Sequence, residues 1–403
     1  MQYDVIVSGG GIAGLTAAAA FGSAGFSVLC VDPAPPVTER EAEGSDMRTT
    51  AFLQPARALL DRAGLWDRLA EYAAPLTVMR IVDAGGPEPE PRVIRDFESS
   101  DIGDLPFGWN LPNWLLRREM AARLAELPTV AFRPGTGTAG LFTRTAGAKV
   151  TFSDGSRATA RLVVAADGRA SPMRAAAGIG VRTTRFGQKA LAFAVTHPIP
   201  HMNVSTEIHR TGGPFTLVPL PDWQGMPSSA VVWMEEGPKA LELMALGDKA
   251  FEAAMSERSC HLFGPLKLAS RRTIWPIIAQ EAERLDGERV ALVAETAHVV
   301  PPIGAQGLNM SLKDIGALLD LAVARPEGLG DAQMLGAYHR ARIGDIRVRV
   351  AGITALNRTS MLSTPLLRDA RAAGVSSLYA LPAVRKMLMQ MGLGARGTVE
   401  RVE

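Results

Sequence analysis

Residues 3–32, YDVIVSGGGIAGLTAAAAFGSAGFSVLCVD, constrain the fold more than any other stretch. Tyr3 to Ser8 is a short, mostly β-branched run that reads as a strand buried on both faces. Gly9, Gly11 and Gly14 spell G-x-G-x-x-G and open an Ala-rich helix, with Ala13 in its first turn, running from Ile12 to about Ala24. Gly25 closes the helix, Phe26 to Val31 forms a second strand, and Asp32 follows it. Gly9 permits the tight turn, Gly11 lets the backbone approach a pyrophosphate, and Gly14 lets helix and strand pack closely. The helix N-terminus offers free N–H groups and positive dipole to phosphates, and Asp32 can accept from a ribose hydroxyl. An idle glycine turn lacks this strand, helix and acid in series. A secretory or membrane segment is not the reading here, because no basic n-region precedes the apolar run and the glycine spacing serves a turn instead.

At 403 residues the chain suits two intimately joined domains rather than one simple core. Its 47% hydrophobic and 21% charged residues are those of an ordinary globular protein, cytoplasmic by default. Cys30 and Cys260 are too far apart for a metal or redox pair, and Cys30 falls in a buried strand as an inert small hydrophobe. The net charge of +2 gives no reason to expect a nucleic-acid partner. It hides a basic tail, where Arg347, Arg349, Arg358, Arg368, Arg371, Arg385, Lys386 and Arg396 face Asp369 alone.

After an acidic loop from Pro33 to Asp46, Thr49 or Thr50 is placed to cap a helix through Leu59, Leu60 and Leu65. Strands are expected at Thr77 to Asp83 and Arg92 to Phe97, and a helix at Asn113 to Leu127. Gly135, Gly137 and Gly140 repeat the dinucleotide pattern, but a hairpin about Ser153-Asp154-Gly155 follows instead of a helix, so this second match reads as a loop. Val163 to Ala166 is another buried strand, ending in Asp167-Gly168-Arg169. Strands at Ala190 to Thr196, Val204 to Ile208, Thr216 to Leu220 and Ala230 to Met234 mark a shift towards sheet. The α/β pattern returns with Arg289 to Ala294, a Pro/Gly loop, and a helix from Met310 to Ala324; the tail is helical from Asp345, broken at Pro365 and Pro382. The fold class is α/β, a Rossmann-like domain carrying an antiparallel-sheet domain.

VIVSGGGIAGL, the DMR at Asp46 to Arg48, AADGRASPMR, GPFTLVPLPD with SSAVVW, ALVAETAHVVPPIGAQGLNMSLKD and LNRTSM together resemble the class A flavoprotein monooxygenases of the para-hydroxybenzoate hydroxylase fold. Among these the chain looks most like the ubiquinone-biosynthesis hydroxylases, over nearly its whole length. The resemblance implies a discontinuous FAD-binding domain (1–75, 98–177, 271–345), an inserted substrate sheet (76–97, 178–270) and a C-terminal helical segment (346–403). It implies FAD as cofactor, NAD(P)H as transient electron donor, O2 as co-substrate and a polyprenyl phenol as substrate. Arg48, Asn113, Asp167 and Arg169 would lie near the cofactor. The loop Pro302, Gly304, Ala305, Gln306, Gly307, Leu308 and Asn309 would cradle the pyrimidine end of the flavin, where the helix dipole behind it favours negative charge.

The family's Gly-Asp is Ala294-Glu295 here, and its small Gly before the Gln is Ala305. Glu295 is one methylene longer but should still accept from a ribityl hydroxyl; a weak or lost FAD site, in an accessory member of a biosynthetic complex, is the alternative. A hydroxylase of another phenol is a third reading. His298 has no second metal-spaced ligand and is expected to be structural. No G-x-S-x-G occurs, and Trp109 and Trp114 do not form the signature of flavin halogenases. The basic and apolar tail suits either a membrane surface or a helical lid over the FAD domain.

Overall fold

The computed structural model describes residues 2–86, 88–361, 379 and 382–393. Its central strand, Gln2–Ser8, buries Val5, Ile6 and Val7 completely, as a parallel strand covered on both faces must. The chain turns through Gly9–Gly11 into helix Ile12–Ser23, leaves it at left-handed Gly25 and returns in strand Val28–Asp32. Strands Val28–Asp32 and Arg157–Ala165 flank Gln2–Ser8 in parallel; Val130–Pro134 and Val290–Leu292 extend the sheet outward. The alanines of helix Ile12–Ser23 keep it narrow, so helices Gln54–Arg62, Asn113–Glu126 and Gln306–Ala324 all pack against it.

A second, nine-stranded sheet runs in the order His298–Val299, Thr273–Ala282, Val181–Thr196, Met226–Glu236, Pro214–Trp223, Val204–His209, Val78–Asp83, Val93–Glu98, with the ninth strand, Lys267–Leu268, pairing with Val181–Thr196 off this path. Period-two alternation splits its faces. Leu191, Phe193 and Val195 enter one core with Phe251 and Met255 of helix Asp248–Arg258. Ala190 and Ala194 lie on the other side, in separate small clusters. A three-stranded ribbon, Thr49–Leu53, Gly108–Pro112 and Ala74–Leu76, packs beside strand Pro214–Trp223.

Several boundaries differ from the sequence reading. Thr49 and Thr50 cap no helix: they open strand Thr49–Leu53, in register with Pro112 back to Gly108. The helix starts at Gln54, with Pro55 in its first turn, where a missing N–H costs nothing. Gly140 lies inside strand Thr138–Arg144, not in a loop, while the Ser153–Gly155 hairpin is as expected. Strand Val290–Leu292 is shorter than RVALVA, because Ala294–Thr296 forms a 3-10 turn. The helix expected from Met310 begins at Gln306, and that expected from Asp345 begins at Ala332, capped by Asp331, whose side chain accepts from the Met334 N–H. Pro365, Arg368, Arg371 and Arg396 lie outside the described residues, and Pro382 is the first residue of helix Pro382–Leu393.

Phe193 is fully buried and stacks edge-on to Phe251 at 5.1 Å. Phe193→Ala is expected to destabilise the protein by about 3–5 kcal/mol in urea denaturation, because helix Asp248–Arg258 cannot collapse into the void.

Candidate cofactor site

Three parallel strands end side by side, at Gly9, Ala166-Asp167 and Ala294-Glu295. Gly9 has φ +109°, and a Cβ there would be driven into the Ala166 carbonyl; only glycine lets the two strand ends stand so close. A Cβ on Gly14 would meet the Gly9 carbonyl, whereas one on Gly11 would have no atom within 4 Å. Gly11 therefore opens onto free space, next to helix amides with no side-chain cap and no acid in the first turn. Asp32 is held beside this turn: Gly10 N–H donates to its Oδ2 at 2.5 Å and Ala34 N–H to its Oδ1 at 2.9 Å. An open glycine turn, uncapped amides and an adjacent carboxylate are the donor and acceptor set that a dinucleotide's pyrophosphate and ribose need.

Asp167 is tied into the protein itself. Its carboxylate accepts from Ser171 Oγ (2.5 Å), Met173 N–H (3.0 Å) and Thr296 Oγ1 (3.1 Å), which joins the second strand end to the third. Arg169 is exposed just beyond it. Arg48 forks onto Asp46 at 2.8 and 2.7 Å. Asn113 binds the same acid through Nδ2 (3.1 Å) and accepts from Thr50 Oγ1 (2.8 Å). Burial pushes the Asp46 carboxyl up, but Arg48, Asn113 and the charge of Arg117 outweigh it and hold it below its ordinary 3.8. Hydrogen bonding to Asp46 leads the factors that raise Arg48, and Glu295 adds its field. Arg48 also stands 5.6 Å over the ring of Trp275, so it faces the second sheet.

The Pro302–Asn309 loop makes two left-handed steps, Gly304 (φ 63°) and Ala305 (φ 55°), before the uncapped helix Gln306–Ala324. Ala294, in the other turn, is left-handed too (φ 58°). A non-glycine residue there costs roughly 1–2 kcal/mol. Pro302 and Gly307 are exposed, and Leu308 is half-buried. Asn309 is buried and staples the loop to the ribbon: its Oδ1 accepts from Leu53 N–H (2.9 Å), and its Nδ2 donates to the Ala51 (2.7 Å) and Ala305 (2.6 Å) carbonyls. Gln306 turns its side chain towards the C-terminal helices, accepting from Arg349 (2.7 Å) and donating to the Gly392 carbonyl (2.9 Å).

Sequence reasoning missed the partners of His298. Its Nε2 lies 2.7 Å from Asp314 Oδ2, both side chains essentially buried, and Arg342 Nε binds the other oxygen at 2.8 Å. The signal was an acid at the third turn of the loop helix and an arginine on the next helix, which only tertiary packing pairs. It missed, too, the apolar patch where Ala190, Met234 and Ile277 meet Phe186, Trp275 and Ile303 of the loop. The alternation was visible; which parity faces the loop was not.

The family model described as "FAD binding domain" matches residues 2–347. The chain belongs to that family. FAD is therefore the cofactor of this flavoprotein, with the NAD(P)H and O2 usual for the class. It is 32% identical to the ubiquinone hydroxylase UbiL of Rhodospirillum rubrum, over 97% of this chain and 89% of the relative. It is 25% identical to the human mitochondrial ubiquinone biosynthesis monooxygenase COQ6, over 96% and 92%. Among solved structures, the p-nitrophenol 4-monooxygenase PnpA of Pseudomonas putida superposes with a TM-score of 0.79 at 18% identity, covering 98% of this chain and all of that one, and so shares the fold.

Two outcomes test the site. Gly14→Ala should cost about 3 kcal/mol or more and abolish flavin retention, read by thermal denaturation and by absorbance of the purified protein. Asp46 has a lowered folded pKa, so its contribution is complete well above 3.8 and is lost as pH falls below that value. Asp46→Asn should thus lose on the order of 1 kcal/mol at pH 7, with the gap to wild type closing under acid, in pH-resolved denaturation.

Proposed function

We infer that the flavoprotein is an aromatic hydroxylase of ubiquinone biosynthesis, acting on a phenolic quinone precursor with NAD(P)H and O2. The observation that carries this is the 32% identity, along almost the entire chain, to a ubiquinone hydroxylase. The donor and acceptor groups at both helix ends fit FAD. Redox and oxygen-transfer chemistry is what FAD supplies when bound. The protein's part is to bind, orient and exclude water. Gly9, Gly11, Ala13 and Gly14 take the pyrophosphate, and Asp32 takes the ribose. Arg48 and Asn113 stand on the cofactor's flank, Asp167 and Arg169 near the approach of the nicotinamide. Glu295, exposed at its strand end, accepts from the ribityl chain. Pro302, Gly304, Ala305, Gln306, Gly307, Leu308 and Asn309 cradle the pyrimidine end, where the free N–H groups of the helix N-terminus favour negative charge by about 0.3–1 kcal/mol. The apolar patch around Trp275, Met234 and Ile303 suits the ring of a phenol and keeps water away from it.

A polyprenyl phenol partitions into the bilayer, so its hydroxylase works at a membrane surface or in a complex assembled there. No helix among the described residues is long and apolar enough to cross a membrane. The C-terminal helix Pro382–Leu393 buries Met389 against Leu53 and Phe107 and pairs Arg385 with Asp101 at 3.0 Å, while Lys386 and Met387 are exposed. It therefore covers the ribbon with one face and offers a cation and an apolar side chain on the other, a mix suited to anionic lipid.

The purified protein should be yellow or become so on adding FAD, and should convert a quinone-precursor phenol to a hydroxylated product with NAD(P)H consumption. Deleting the gene should make such a precursor accumulate in lipid extracts. A colourless protein that takes up no FAD, or an unchanged quinone profile in the deletion strain, would falsify the reading.

A further inference from the structure

Both left-handed alanines beside the flavin site are joined to one run of charge, buried at Asp314 and Arg342 and half-buried at Asp345 and Arg349. Ala294 N–H donates to Asp314 Oδ2 at 3.3 Å, and Arg342 Nε binds Asp314 Oδ1 at 2.8 Å. Arg342 Nη1 reaches Asp345 Oδ2 at 2.9 Å, Arg349 Nε reaches Asp345 Oδ1 at 2.9 Å, and Arg349 Nη1 donates to Gln306 Oε1 at 2.7 Å. The run begins under Ala294 and ends on the residue that follows Ala305. Asp314 is 0% exposed and the Arg342 side chain 8%, so neither charge has water to fall back on. Burial works against charge on Arg342 and Asp345 alike, yet each is held more firmly ionised than usual by its partners.

Resting on the FAD reading above, we propose that Asp314, Arg342, Asp345 and Arg349 form a positioning ladder that fixes the two cofactor-facing turns relative to each other, with Arg349 the positioning residue for the Gly304–Gln306 turn. Buried ion pairs contribute geometry more dependably than stability, because a half-broken pair strands a charge. A left-handed alanine relaxes when nothing over-determines it, which would swing the first amides of the loop helix away from the flavin. Glycine holds the same conformation without strain, so a turn carrying glycine should depend less on the ladder. The ladder is thus the counterpart of the two alanines: strain at the turns, constraint from behind.

The test is a double-mutant cycle on deflavinated protein, read by FAD dissociation constant and, after reloading, by flavin midpoint potential, with melting of the apoprotein as the folding control. Arg349→Gln should weaken FAD binding about tenfold and lower the potential, since the helix amides are less well aimed. In the Ala305→Gly background the same substitution should cost no more than about threefold. The proposal is overturned if R349Q leaves both readouts within about twofold of wild type, or if its effect is as large with A305G as without. Should R349Q fail to fold, Arg349→Lys, which keeps the charge and gives up the fork, is held to the same criteria. Wild-type protein that binds no FAD would sink the functional reading itself, whereas FAD-binding wild type with an indifferent R349Q sinks only the ladder.

Discussion

The close approach of two backbones, Gly9 to Ala166, is the constraint from which the site follows. Parallel strands sit less than 5 Å apart, so their ends converge only if one presents no side chain to the other. Gly9 removes the obstacle at the strand end and Gly14 removes it at the helix. The helix can then start directly over the sheet, its first amides left uncapped and its axis aimed at the point where the strands stop. Asp167 and Thr296 bind the next two strand ends together, so the three carboxyl ends act as one rigid edge. Phosphate recognition here is a property of packing distance before it is a property of any side chain.

The second half of the site is built differently. The loop before helix Gln306–Ala324 is held by polar side chains: Asn309, in the helix's first turns, ties it to the ribbon, and Arg349 braces it from the long helix Ala332–Ser360. Such contacts are directional, which suits a loop that must present backbone amides at a defined angle. They also recruit the C-terminal region. Of the tail's cations, Arg347 pairs with Glu281, Arg349 with Asp345, and Arg385 with Asp101, so much of the basic character is spent inside the molecule. Arg358 and Lys386 remain exposed for a surface role.

Small and apolar side chains line the face of the second sheet turned away from its helix-covered core. On strand Val181–Thr196 the large residues point to the helix-covered core and the alanines point the other way, Ala190 towards Trp275 and Ile303. Trp275 from the second sheet and Ile303 from the loop enter one patch, and Arg48 covers Trp275 from the ribbon side. An aromatic ring in that position would be held mainly by shape and by exclusion of water.

Residues 3–32 were legible because most of what shapes them is local: the strand, the turn, the helix and Asp32 interact over a few tens of residues, and Gly14 answers to the Gly9 carbonyl, although the Ala166 carbonyl that Gly9 must clear comes from far along the chain. The false glycine match at Gly135 to Gly140 was legible for the same reason, since the hairpin that follows it is also local. Thr49–Leu53 was misread as helix because its strand state is conferred by Gly108–Pro112, some sixty residues away, and threonine tolerates either structure. The left-handed state of Ala294 and Ala305, the face on which Ala190 lies, and the pairing of Asp314 with His298 and Arg342 were equally out of reach. Sequence alone determined the dinucleotide unit, through short-range sterics, and its motifs spread along the chain carried the family resemblance. Tertiary structure decided how the late loop is braced and which side of the sheet the substrate can meet, because those depend on charges and parities that only long-range packing brings together.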